Sequence, residues 1–390
     1  MGDMPLVSRL RPFTTTIFAE MSALAVRTGA INLGQGFPDT DGPPAMLRAA
    51  EQAIADGVNQ YPPGPGIPDL RAAIAQARRR DRAQDFDPDA EVLVTVGATE
   101  AIAAAVIALC EAGDEVLMLE PHYDSYPAVV AMAGARHVSV ALQPDATGRF
   151  ALDPVALAAA VTPRTRMILL NSPHNPTGTV LTRDELTTIA ELAVEHDLLV
   201  VTDEVYEYLT FDGTEHIPIA TLPGMAERTL TISSAGKSFS ATGWKIGWAC
   251  GPAPLVAAVR AVKQFLTYVG GAPFQPAVAL ALRTELDWVL GLRADLQDKR
   301  DRLCAGLRAA GFDVFRPQGT YFVVADIRPL GAADGMAFCL DLPRRAGVVA
   351  VPQEVFYDDR PTGTHYVRFA FCKRDEVIDE AVARLSAMHP

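Results

Sequence analysis

Short apolar runs rich in β-branched residues recur through the first two-thirds of the chain, each followed by a turn and a stretch with helical spacing. Val92–Val96 (VLVTV) leads through Gly97-Ala98-Thr99-Glu100 into AIAAAVIALC. Val116–Leu119 precedes a helix near Ala128–Ala133, and His137–Val140 precedes one near Pro154–Ala160. Met167–Leu170 precedes a helix over Arg183–His196, and Leu198–Thr202 is the next strand. Runs of strand length alternating with helical periods mark βα units. Consecutive parallel strands need a crossover, so the pattern predicts an α/β fold with a mostly parallel sheet flanked by helices. In such sheets ligands sit beyond the carboxyl ends of the strands.

The last third changes character. Asp287–Ala310 reads as a long helix carrying Arg293, Asp295, Asp298, Lys299 and Arg302 on a charged face. GFDVF, TYFVVADI, GVVAVP and HYVRFAF follow as strand-like pieces between helices, which predicts a smaller α+β domain. The expected division is a segment 1–40 that contributes to the small domain and the active site, a large domain 41–285, and a small C-terminal domain 286–390.

The composition is ordinary for a globular protein, with 390 residues of which 49% are hydrophobic and 21% charged. Such a chain can bury a large core. A net charge of −13 opposes a nucleic-acid-binding face. The 5 cysteines are scattered without a CxxC pair, as expected of reduced thiols in a cytoplasmic protein. The start, MGDMPLVSRLRPF, has no apolar signal region, and no uncharged apolar run reaches the roughly 18 residues a membrane span needs. The 7 histidines show no metal-ligand spacing; His122 and His174 read as loop residues, and no metal is expected.

The residues at the predicted strand ends are chemically distinctive. Gly97-Ala98-Thr99-Glu100 is a turn into a helix, either a phosphate cradle or a plain turn with an N-cap threonine. Pro121-His122-Tyr123-Asp124-Ser125-Tyr126 offers aromatics that stack on a flat ring or pack a loop. Ser172-Pro173-His174-Asn175-Pro176-Thr177-Gly178 is a fixed irregular loop able to aim the Asn175 amide. Asp203-Glu204-Val205-Tyr206 puts a carboxylate at the end of a buried strand, where it needs a partner. Ser234-Ala235-Gly236-Lys237-Ser238-Phe239-Ser240 sets a lysine among small residues, where desolvation lowers its pKa and makes the amine a nucleophile for carbonyls. Together these supply an amine, a carboxylate, an amide, a phenol, an anion cradle and an aromatic, the set that pyridoxal phosphate requires.

Here the chain resembles the class I/II aminotransferases of the fold-type-I pyridoxal-phosphate family. The resemblance runs from Asn32-Leu33-Gly34-Gln35-Gly36-Phe37-Pro38-Asp39 to Tyr366-Val367-Arg368-Phe369. Its most specific stretch is SAGKSFSATGWKIGW, from Ser234 to Trp248. The chain is similar to kynurenine/glutamine-type aminotransferases, and within that neighbourhood to actinobacterial N-succinyldiaminopimelate aminotransferases. The resemblance implies pyridoxal 5'-phosphate as cofactor. Lys237 is then the Schiff-base lysine and moves the proton. Asp203 pairs with the pyridine nitrogen, Tyr206 and Asn175 bind the ring oxygen, and Tyr123 stacks on the ring. Ala98, Thr99, Ser234 and Lys245 hold the phosphate. Tyr61 reaches the phosphate of the other subunit, which implies a homodimer. Arg368 forks onto the substrate α-carboxylate with help from the Gly36 backbone.

The substrates implied are small amino and oxo acids, with glutamate as donor. In Tyr268-Val269-Gly270-Gly271-Ala272-Pro273, the two glycines either widen the pocket for N-succinyl-2-amino-6-oxopimelate or serve a backbone bend. Thr14-Thr15-Thr16-Ile17-Phe18 is a further candidate lining. The alternatives are a kynurenine-, glutamine- or methionine-type aminotransferase with β-lyase side activity, a sensing regulator, or an aldolase or decarboxylase on this fold. The 30 residues ahead of the resemblance are too few for a DNA-binding module, and the arginine in YVRFAF disfavours the last.

Overall fold

The apolar runs become strands buried on both faces, as a parallel sheet between helix layers requires. A computed structural model describes residues 6–14 and 16–388. The strands of the large sheet are β1 Val92–Val96, β2 Glu115–Glu120, β3 Arg136–Ala141, β4 Thr165–Asn171, β5 Leu199–Asp203, β6 Thr229–Ser234 and β7 Ile246–Cys250. Their order across the sheet is β1-β7-β6-β5-β4-β2-β3. Strand β7 alone runs antiparallel to both neighbours. Its first residues, not its last, therefore lie at the edge where the other strands end.

Four short antiparallel strands form a second sheet: β8 Asp313–Phe315, β9 Phe322–Asp326, β10 Val351–Pro352 and β11 Tyr366–Ala370, in the order β8-β9-β11-β10. The helix Leu286–Ala309 precedes it. Ile31–Asn32 pairs in parallel with Val348–Val349, so the early chain joins this second unit. One apolar cluster accordingly joins Ile17, Met21 and Leu33 to Val323, Val349 and Phe369.

Two expectations change in detail. The helix after β1 begins at Gly97, so Thr99 lies in its first turn and is not the N-cap. Gly97 turns the chain at φ +74, and the Glu100 carboxylate accepts the Val96 N–H at 2.6 Å. The helix expected near Ala128 starts at Ser125, which places Tyr126 on its buried side. No helix among the described residues is long and apolar enough to cross a membrane.

Behind β5 lies a buried charge network. Arg78, on the helix Pro68–Arg82, sits between Glu204 at 2.8 Å and Glu207 at 2.5 Å. Arg82 reaches Glu207 at 2.8 Å, His216 Nε2 lies 3.1 Å from Glu204, and the Ser233 hydroxyl donates to Glu207 at 2.7 Å. This network anchors the helix against the strand ends that carry the site.

Candidate active site

The carboxyl ends of β1, β2, β4, β5 and β6 and the start of β7 converge on a cavity of about 360 Å³. At one corner are the Ala98 and Thr99 backbone, Ser234 and Lys245. The first-turn N–H groups of a helix lack intrahelical partners and favour an anion. The corner is tight. A Cβ on Gly97 would lie 3.0 Å from Lys245 Nζ, and one on Gly247 would lie 2.7 Å from the Ala98 nitrogen.

Asp203 ends β5 at the cavity floor. Tyr126 Oη donates to its carboxylate at 2.8 Å and the Val205 N–H donates at 3.2 Å. Burial nevertheless pushes it up to about 6. A carboxylate in that state needs a cation facing it. Asn171 ends β4 and fixes two neighbours: its amide donates to the Asp203 carbonyl at 2.8 Å and accepts the Asn175 N–H at 2.8 Å. Tyr206 follows β5, and burial raises its phenol well above the ordinary value, so it remains a donor. Tyr123 lines the wall, its phenol pushed up to about 12 by burial, with its ring edge-on to Tyr126 at 5.6 Å.

Lys237 follows β6 in the short helix Ala235–Ser238. Desolvation brings its amine down to about 8. Nζ donates to Tyr321 Oη at 2.8 Å, and that hydroxyl donates to the Gly36 carbonyl at 2.6 Å.

Arg368 enters from β11, on the second sheet. It is 1% exposed, and its hydrogen bonds go to neutral oxygens, Asn175 Oδ1 and the Gly34 carbonyl, each at 3.0 Å. Nε has no partner, and the guanidinium lies 4.0 Å from the centroid of the Phe322 ring. Burial lowers it to about 10. A buried cation held only by neutral groups is an anion site.

The structure thus brings Lys237, Asp203, Tyr206, Asn175, Tyr123, Ala98, Thr99, Ser234, Lys245, Gly36 and Arg368 around one cavity. Phe18 lines it too; Thr16 caps the helix Ile17–Thr28, while Thr15 lies outside the described residues. Three residues from the sequence reading lie elsewhere. Tyr61 is 81% exposed and meets Tyr268 edge-on at 5.5 Å. Gly270 and Gly271 do not line this chain's cavity. Gly271 has φ +62, and a Cβ there would fall 2.2 Å from Ile246 Cδ1, so the bend and the close packing explain the glycine. Sequence reasoning missed Asn171, Tyr126, Tyr321 and Phe322. Tyr126 stood in the aromatic run after β2 and Asn171 at the end of an apolar strand. Nothing local to Tyr321 signals that it meets a lysine 84 positions away.

Residues 28–385 match the family model of aminotransferase class I and II. The chain belongs to this family. It is 63% identical to a probable N-succinyldiaminopimelate aminotransferase of Mycobacterium tuberculosis, over 98% of each chain. The solved structure of N-succinyldiaminopimelate aminotransferase from that organism superposes with a TM-score of 0.97 at 64% identity, covering 98% of this chain and 100% of the other. A methionine aminotransferase of Escherichia coli is 39% identical over 99% of each chain.

Pyridoxal 5'-phosphate is the cofactor of class I/II aminotransferases, and the cavity of this aminotransferase fits it. The glycine-lined corner with first-turn N–H groups and Lys245 suits the phosphate. The raised Asp203 suits a protonated ring nitrogen, and the lowered Lys237 suits an aldehyde.

Proposed function

We propose that this aminotransferase moves an amino group between glutamate and N-succinyl-2-amino-6-oxopimelate, acting as a cytoplasmic homodimer. The substrate rests on one observation, 63% identity over 98% of the chain to a relative carrying that name. The reaction class is supported by the geometry of Arg368, a buried cation whose neutral partners leave it a carboxylate to bind.

The protein's share of the chemistry follows from these positions. Arg368 and Asn175 hold the α-carboxylate and so orient the substrate Cα toward Lys237. Lys237 Nζ, brought near neutrality by desolvation, accepts the proton that leaves Cα. When bound, the cofactor supplies the electron sink that makes this proton acidic. Asp203 keeps the ring nitrogen protonated, and Tyr126 and Asn171 hold Asp203 in place. Phe18, Phe322 and Tyr123 line the walls and exclude water.

The homodimer is supported by an exposed apolar group, Tyr61, Phe265, Leu266 and Tyr268, too aromatic for a solvated face. Fully active monomer in sedimentation would overturn it. The five cysteines are all unpaired and buried, which suits a reducing compartment. A second reading, methionine or kynurenine transamination, draws on the aromatic lining from Phe18, Phe37 and Phe322. A coupled assay with glutamate against the succinylated, sulfur and aromatic oxo acids decides between them. The succinylated acid should give the highest kcat/KM; preference for another moves the protein to the second reading.

A further inference from the structure

We propose that Glu120, His122, His137 and Asp358 bind a divalent ion of zinc chemistry, which staples the loop beyond Phe356 to the end of β2. Ligand atoms of Glu120, His122 and Asp358 all lie within 4.8 Å of one another. His122 Nε2 is 3.5 Å and His137 Nε2 is 3.0 Å from the same oxygen, Asp358 Oδ1. The two imidazole rings stand at 77° with centroids 6.1 Å apart, so their Nε2 atoms converge while the rings do not stack.

His122 supplies the independent observation. It is 4% exposed, yet neither ring nitrogen has a hydrogen-bond partner. Buried imidazoles are ordinarily hydrogen-bonded, and this one stops with Nε2 3.5 Å short of the Asp358 carboxylate, room that an ion would fill. Two imidazole nitrogens and two carboxylates are a donor set for zinc and its neighbours, not for magnesium or calcium, which prefer oxygen alone. Zinc bonds of about 2.0–2.1 Å would draw the Glu120, His122 and Asp358 side chains in around the ion, with His137 joining from its place beside Asp358.

The site is assembled by the fold. Glu120 ends β2, His137 lies on the neighbouring β3, and Asp358 comes from the loop after Gln353–Phe356. The Asp358 N–H donates to Glu120 at 2.9 Å and the His122 N–H donates to the Phe356 carbonyl at 2.9 Å, so the loop and the strand end are already in register. Positions 120, 122, 137 and 358 show no ligand spacing in the sequence, which is why the histidines read as loop residues. The chain runs from His122 directly to Tyr123 at the cavity wall, and the Phe356 ring lies 5.5 Å from the Arg368 guanidinium. An ion here would tie the two sheets together beside the substrate site.

The test is titration of chelator-treated, cofactor-loaded protein with Zn2+ by calorimetry and with Co2+ by visible absorbance. One ion per chain is expected, with a rise in melting temperature on adding Zn2+. Asp358→Asn should weaken binding by about 100-fold or more, since even outer partners of a metal site cost 10–100-fold. The Asp358 side chain is 44% exposed, so the substitution leaves the core intact; His137→Gln is the second variant should it fail to fold. Absence of saturable binding, or binding that survives these substitutions unchanged, overturns the proposal.

Discussion

Asp203 and Glu204 are neighbours in sequence and both buried, yet their surroundings treat charge in opposite ways. Glu204 and Glu207 belong to a network in which Arg78, Arg82 and His216 answer each carboxylate, and Glu207 is drawn down to about 2 while the Arg78 guanidinium is raised. Across the same strand end, Asp203 is pushed up to about 6, Lys237 down to about 8 and Arg368 down to about 10, all by desolvation. One side is neutralised by the fold. On the other, desolvation outweighs the partners that the fold supplies. Burial alone therefore does not mark function; burial without a counter-charge does.

The sharpest way to break this comparison is Lys237→Ala. Turnover should fall by about 10⁴-fold or more, with little change in urea unfolding, because burial already disfavours the charged amine. A large loss of stability would place Lys237 with the structural charges. Arg78→Met should do the reverse, destabilising by about 3–5 kcal/mol in urea unfolding because Glu204 and Glu207 are left buried without it. Substantial loss of turnover in protein that remains folded would erase the distinction.

Arg368→Met should lower kcat/KM for amino acids by about 100-fold, the worth of a charge-assisted fork, while leaving the melting temperature unchanged or higher. The smallest effect is in pH. Asp203 is raised from 3.8 to about 6, so in cofactor-free protein the stability it contributes is present below 3.8 and lost as pH rises through 6. Glu207 is lowered from 4.5 to about 2, so its contribution is present above 4.5 and lost as pH falls toward 2. Melting curves of Asp203→Asn should thus gain on the parent as pH climbs from 4 to 7, and those of Glu207→Gln should lose on it as pH climbs from 2 to 4.5. Parallel curves would contradict both assignments.

The same contrast explains what the sequence could show. The α/β fold was legible because strand and helix periods are local, and Lys237, Asp203 and Asn175 stood out because each follows an apolar run. What pairs with them was not legible. The antiparallel β7 leaves no mark in Ile246–Cys250 itself, yet it alone carries Lys245 to the right edge. The Arg78 network joins segments more than a hundred positions apart. Gly270 and Gly271 were ambiguous because a glycine records only the absence of a side chain, and at Gly271 the reason is φ +62.

The contact between Lys237 Nζ and Tyr321 Oη, 2.8 Å long, with that hydroxyl anchored on the Gly36 carbonyl, has a kinetic meaning. A free lysine side chain carries about 2 kcal/mol of rotamer entropy. A free amine seated on that phenol, as Lys237 would be once a substrate has displaced it from the cofactor, has already surrendered that freedom. In the proposed reaction it would then meet the Cα proton as a tethered reagent, at an effective concentration that can reach about 10⁵ M or more for well-oriented groups. The seat also gives the amine one place to return to after each transfer, so a flexible four-carbon chain keeps a single short stroke.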